Sequence, residues 1–254
     1  MNDEISEPLF ELHDIWAAFS ILTRLPVPVD HTRAGLRANK AVWAYPLVGA
    51  GIGAIAAVFG YALLASSVPV EFCAAICILV LIATSGALHE DGLADCADGF
   101  WGGNSTERRL EIMKDSAIGA YGMLALIGFS LAQWSAVAQL MQENIFALFI
   151  GLGAISRLPM VLGMWIIPNA RANGMSASVG MPSAQSVQLA TGLSIIIAVI
   201  CFGWQGIFIC TAALIAAGGL FALADKKIGG QTGDVLGASQ KCAELGAFLC
   251  IFML

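Results

Sequence analysis

Residues 70–99 read VEFCAAICILVLIATSGALHEDGLADCADG. The run Val70–Leu88 carries one charge, Glu71, and approaches the roughly 20 residues a helix needs to cross hydrocarbon. It leads straight into His89, Glu90, Asp91, Asp95 and Asp98. In a helix, Asp91, Asp95 and Asp98 fall at i, i+4 and i+7 and share one stripe. Like charges on one stripe repel unless a cation lies between them. A hard divalent ion with oxygen ligands resolves that cost, and Mg²⁺ commonly bridges carboxylates to substrate phosphates. The stretch therefore predicts a membrane segment that ends in a magnesium–phosphate site.

Composition supports the membrane reading. The 254 residues are 58% hydrophobic and 12% charged, against about 25% charged in a soluble domain. Apolar runs at Ala41–Ala65, Val70–Leu88, Gly119–Met141, Ile145–Ile167, Val187–Trp204 and Gly206–Ala224 predict six crossings in a single domain, 1–254. A last run, Ala243–Leu254, is too short to cross alone and needs Lys241 and Glu244 to reach spanning length, so a seventh crossing stays open. The expected fold is an all-α polytopic integral membrane protein. Leu9–Leu25 reads as an amphipathic interfacial helix, within a cytoplasmic or interfacial segment 1–40. The acidic N-terminus lacks a basic n-region, so a cleaved signal peptide is not expected. The seven cysteines form no CxxC pair and read as small buried hydrophobes.

The basic residues orient the chain. Every Lys and Arg except Arg157 falls before the first run or on alternate loops, which all face one side. By the positive-inside rule that side is cytoplasmic, and it carries the acidic motif, expected as a loop over 89–118. Few basic residues and no basic stripe exclude a nucleic-acid partner. Arg157 sits inside an apolar run, where a charge is expensive and faces a partner or a wet cavity.

Gly92, Gly99, Gly102 and Gly103 permit close approach of a ligand to the backbone. Asn104 with Glu107 has the spacing of an N-cap and its N3 acid, which predicts a short helix carrying Arg108, Arg109, Glu111, Lys114 and Asp115. Acids and bases together suit metal and phosphate. The competing reading is a solvated charged loop.

The run HEDGLADCADGFWGG, followed by RRLEIMKDSAIGAYG, resembles the signature of the cobalamin synthase family (adenosylcobinamide-GDP ribazoletransferase). FSILTRLPVP, AYPLVGAGIG, the pair Ser156-Arg157 and TGDVLGA fit in family order, and IPNARANG is similar to the family's Pro-Tyr-Ala-Arg-x-x-Gly with Asn169 for the tyrosine. The resemblance spans nearly the whole chain. It implies a membrane-bound, Mg²⁺-dependent enzyme of cobalamin biosynthesis, sited in the inner membrane and facing the cytoplasm. Its substrates would be adenosylcobinamide-GDP and α-ribazole or its 5′-phosphate, and GMP would leave. Lipid is an expected partner, and a homo-oligomer stays open.

Phosphoryl transfer is mainly positioning and charge stabilisation. Asp91, Asp95 and Asp98 are therefore the expected metal ligands, with Glu90 and Asp115 as further acids. Asp98 is the first candidate to take the proton of the attacking hydroxyl and His89 the second, although a histidine at a helix end is more often structural. Arg157, Arg171, Lys114 and Arg108 are the candidates for the diphosphate. For Arg157 the alternative is a structural pair with an interhelical acid. Asp234 matches the late motif as a substrate or metal residue, or is an ordinary loop acid. Trp101, Tyr121, Trp134 and Trp165 could line a corrin pocket or mark the membrane interface. Two other classes compete. One is a prenyl- or CDP-alcohol-type transferase using a magnesium diphosphate; the other is a divalent-cation transporter, which would place its acids near the bilayer midplane.

Overall fold

A computed structural model describes residues 8–254, and its regular elements there are helices. The first seven residues of the expected N-terminal segment lie outside the described part. Five helices are long and apolar enough to cross a membrane: the stretch 38–65, which ends in α4 (Tyr45–Ala65), α8 (Ala120–Ile166), α10 (Ala184–Phe202), α11 (Gln205–Ile228) and α12 (Gly233–Met253). The chain is thus an all-α, multi-pass membrane protein.

Helix α8 is two crossings. Its 47 residues would extend roughly 70 Å if straight, more than twice a hydrocarbon core of about 30 Å. Gln133 and Arg157, 24 positions apart, both approach the carboxylate of Glu244, at 3.3 and 3.9 Å. The chain therefore folds back between them. The reversal is at Asn144, whose φ of −152° and ψ of 86° are not helical. Its Oδ1 accepts the Ala147 N–H at 3.0 Å and caps the second arm. This is the boundary the two apolar runs predict.

The second arm of α8 lies antiparallel against α4. Gly49 packs on the Gly153 backbone and Gly53 on Phe149, and a Cβ at Gly49 or Gly153 would overlap the opposite carbonyl. Without a hydrophobic driving force between helices in lipid, such close backbone packing holds the pair.

Helix α5 (Val70–Ser85) reaches spanning length only together with α6 (Leu88–Gly102), and the two are bent by 87°. Gly86 and Ala87 form the corner, both left-handed at φ 66° and 58°; for Ala87 this costs about 1–2 kcal/mol. The acid-rich α6 leaves the crossing at this corner and runs across the end of the bundle. The motif segment expected as a loop is mostly helix: α6, then α7 (Thr106–Ile112). Ser105, not Asn104, caps α7, its Oγ accepting the Arg108 N–H at 3.2 Å.

The C-terminal run does cross. Helix α12 starts ten residues before Ala243 and carries Lys241 and Glu244 inside the protein, 3.0 Å from each other. Among the described residues, the two arms of α8 raise the five spanning helices to six crossings, and the bent pair α5 and α6 supplies a seventh.

The amphipathic segment forms α1 (Leu12–Leu22), shorter than the pattern predicts. It does not simply present its polar side to water. Asp14 is fully buried, accepting from Arg37 Nε and Nη2 at 2.8 and 2.9 Å and from Trp43 Nε1 at 3.1 Å. Burial pushes its carboxyl up, but these hydrogen bonds outweigh that and hold it below the usual range. α1 is thereby clamped to the short helices α2 (His31–Leu36) and α3 (Ala38–Ala41) and to the turn before α4.

Candidate active site

Helices α6 and α12 cross at one end of the bundle, and glycine sets how near they come. A Cβ at Gly92 would strike the backbone of Asp234, and one at Gly237 would press on the Leu88 carbonyl. This approach brings Asp234, in the first turn of α12, beside Asp91 and Asp95 of α6. Asp91 is exposed and Asp95 half-buried, and neither carboxylate takes part in a hydrogen bond. Burial, then the charges of Asp91, Asp234 and Asp98, push the Asp95 carboxyl up to about 7.

Arg171 reaches this pole from the loop after α8. Its Nη2 donates to Asp234 Oδ2 at 3.0 Å, and Thr232 Oγ1 donates to the same oxygen at 3.2 Å. Arg171 Nε and Nη1 are buried and have no partner. Two guanidinium N–H edges without an acceptor are costly unless a ligand supplies oxygens. The loop is held rigidly for that task. Residues 168–170 pair with Gln231 through Ala170 N–H to Gln231 O and Gln231 N–H to Pro168 O, both 2.8 Å. Asn169, in place of the family's tyrosine, accepts from Gln231 Nε2 at 2.7 Å and Ser176 Oγ at 3.2 Å.

A cavity of about 80 Å³ opens at this pole, with Asp91, Arg171 and Asp234 in its polar wall. Its other walls come from α1, α4, α8, α9 (Met175–Val179) and α12 and are mostly apolar.

The remaining sequence candidates lie elsewhere. Asp98 accepts N–H groups from Gly119 and Gly122 at 2.7 and 2.9 Å, so both its oxygens serve the start of α8. Glu90 and His89 turn away from the stripe into the bundle. Glu90 pairs with Lys241 at 2.8 Å, Lys241 with Glu244, and Glu244 with Gln133 and Arg157. Gln240 and Ser156 close this network at 3.0 Å from each other. His89 is buried against it with neither ring nitrogen hydrogen-bonded, beside a cavity of about 10 Å³. That is room for about one water. Arg157 thus sits in a charge-balanced internal network, the structural alternative the sequence left open.

Arg108 pairs with Glu111 on the exposed face of α7 at 3.0 Å. Lys114 and Asp115 are exposed, and Asp115 accepts the Ala117 N–H in a local turn. The four aromatics do not gather around one pocket. Trp101 lies under Lys227, whereas Trp134 donates to the Glu71 carbonyl near the opposite end, at 2.7 Å. Sequence reasoning missed the roles of Lys241, Gln133 and Gln240; its only signal was the awkward pair Lys241 and Glu244 in an apolar run.

Among the described residues, no three His, Cys, Asp or Glu side chains form a ready-made metal cage. Mg²⁺ does not need one, since it usually takes one or two carboxylates and completes its shell with water and substrate phosphates. Open carboxylates facing an arginine with unpaired N–H groups fit that division of labour.

Comparison with known proteins agrees in extent as well as in motif. The profile of the family described as cobalamin-5-phosphate synthase matches residues 14–253. The chain belongs to the cobalamin-5-phosphate synthase family. Its relatives include proteins named adenosylcobinamide-GDP ribazoletransferase from Sinorhizobium medicae, Mesorhizobium japonicum and Azorhizobium caulinodans, each 38% identical. The first alignment covers 91% of this chain and 93% of the relative, the second 94% and 92%, and the third 94% of both. No solved structure matches the chain. Within this family the pole of α6, α12 and the Arg171 loop is the candidate active site.

Proposed function

We propose that this chain is an adenosylcobinamide-GDP ribazoletransferase of cobalamin biosynthesis. It works in the inner membrane with the pole described above facing the cytoplasm. A ribose-ring hydroxyl, free in both α-ribazole and its 5′-phosphate, attacks the corrinoid-linked phosphorus of adenosylcobinamide-GDP. The bond from that phosphorus to the bridging oxygen breaks, GMP leaves, and a phosphodiester joins the two halves. The hydroxyl proton passes to a carboxylate of the stripe.

The observation that carries this reading is Arg171, with two buried unpaired N–H groups at a wall shared by Asp91 and Asp234. Arg171 orients the diphosphate, and Asp234 holds the guanidinium in place. Asp91 and Asp95, with Asp234 adjacent, are the residues that would hold Mg²⁺. When bound, it would stabilise charge on the diphosphate and the leaving phosphate. Asp98 is the poorer candidate, because both its oxygens are already engaged by backbone N–H groups. Asp91 lines the cavity and is the carboxylate we assign to the proton. Alternate-loop basic residues support the cytoplasmic orientation.

The test incubates membranes containing the chain with adenosylcobinamide-GDP and α-ribazole. Adenosylcobalamin and GMP should form in equal amounts; no GMP above control membranes would refute the assignment.

A further inference from the structure

We infer that the cavity at the site is the subsite for the nucleobase of ribazole, taking the alkylated edge of a flat, uncharged bicyclic arene. The inference rests on the proposed function and adds which part of which substrate enters the protein.

The walls are chemically uneven. One side is the ionic rim of Asp91, Arg171 and Asp234; the rest is apolar, with Leu22, Met160, Met164 and Val179 among the buried lining residues. Ser176 lines it too, but its hydroxyl is committed to Asn169 and Gln231. Tyr45 is the remaining hydroxyl, and no hydrogen bond engages it.

Size and polarity then choose among the substrate parts. About 80 Å³ is far below the roughly 300–1,000 Å³ of pockets that bury whole drug-sized ligands, so a corrin macrocycle stays outside. Guanine presents hydrogen-bonding groups around its edge, which Met and Leu walls leave unsatisfied. The base of ribazole is a dimethylated benzimidazole, whose benzo edge has no polar atom and whose free ring nitrogen accepts one hydrogen bond. Apolar walls with a single free phenol match that inventory. Methionines adapt their shape and favour aromatic contacts, which lets a cavity of this size close on a ring edge. With the base seated there, the attached ribose leads its ring hydroxyls out towards the ionic rim, where Arg171 and Asp91 stand.

The test uses the full chain in nanodiscs, with adenosylcobinamide-GDP as the fixed partner. Val179→Phe fills the cavity and should raise the KM for α-ribazole at least tenfold while leaving the KM for adenosylcobinamide-GDP unchanged. Met164→Ala enlarges it and should narrow the preference for α-ribazole over ribosides of bulkier benzimidazoles. A rise confined to the GDP-linked substrate, or active variants with both KM values unchanged, would overturn the assignment. Equilibrium dialysis of the wild-type protein needs neither a variant nor turnover. Free 5,6-dimethylbenzimidazole should bind and be displaced by α-ribazole, whereas adenine should not bind. Equal binding of adenine, or dimethylbenzimidazole displaced only by added phospholipid, would assign the cavity to a purine or an acyl chain instead. Lack of turnover with the natural pair refutes the proposed function separately, since the dialysis still reads the cavity.

Discussion

On α6, Glu90 and Asp91 are chain neighbours with opposite electrostatic fates. Glu90 lies 2.8 Å from the Lys241 ammonium, within a network in which two acids, Glu90 and Glu244, balance Arg157 and Lys241. Asp91 faces the cavity with Asp95 and Asp234 nearby, and Arg171, paired with Asp234, has two N–H groups unused. A charge inside a membrane protein is therefore not enough to mark the reacting site. Where acids and bases balance, as around Glu244, they tie helices together; where carboxylates outnumber the cation, as around Arg171, we propose that a ligand supplies the balance.

The largest effect expected from that contrast is at the unmatched pole. Asp91→Asn or Asp95→Asn should lower GMP release by about 10³-fold or more, over 4 kcal/mol of transition-state stabilisation, with the protein still inserted and folded. Turnover within tenfold of the parent would break the contrast at its active side. Magnesium chelation should stop the reaction just as fully and reversibly, and transfer that persists in excess chelator would exclude the metal.

On the matched side, Lys241→Met strands Glu90 and Glu244 and should destabilise the protein by about 3–5 kcal/mol. Thermal unfolding in detergent reads this, and the magnesium concentration for half-maximal rate should stay put in the folded fraction. A shifted magnesium dependence with no loss of stability would move the network into the active site.

The two arginines separate the regions directly. Arg171→Ala should cost about 10²-fold in kcat/KM for the GDP-linked substrate, about 2.7 kcal/mol. Arg157→Ala should lower the unfolding temperature without changing that apparent affinity. The reverse pattern would exchange their roles. Smallest of all, Asp115→Asn should leave activity within about twofold, since exposed substitutions away from special features are usually near neutral; a larger loss would restore Asp115 to the metal site.

Much of the fold was legible because crossing a membrane is a local property. Apolar length and the alternate placement of Lys and Arg depend on residues close in sequence, and Asn144 divides α8 where the two runs part. The C-terminal crossing was not, because its two charges look prohibitive until their partners on α6 and α8 are known. The site was legible in part. Asp91 and Asp95 follow from helical periodicity, and Arg171 from the motif around it. Asp98 shares their spacing, yet its oxygens belong to Gly119 and Gly122, some twenty residues away.

By itself, then, the sequence determined a multi-pass helical membrane protein with an acid stripe in need of a cation, because hydropathy and the 3.6-residue period act within one element. Only the tertiary structure decided which charges found partners. Arg157 met Glu244, Glu90 met Lys241, and Arg171 met Asp234 with two N–H groups to spare. Those pairings join distant elements, and where helices settle against one another depends on close packing at positions such as Gly92 and Gly49, which no spacing rule along the chain contains.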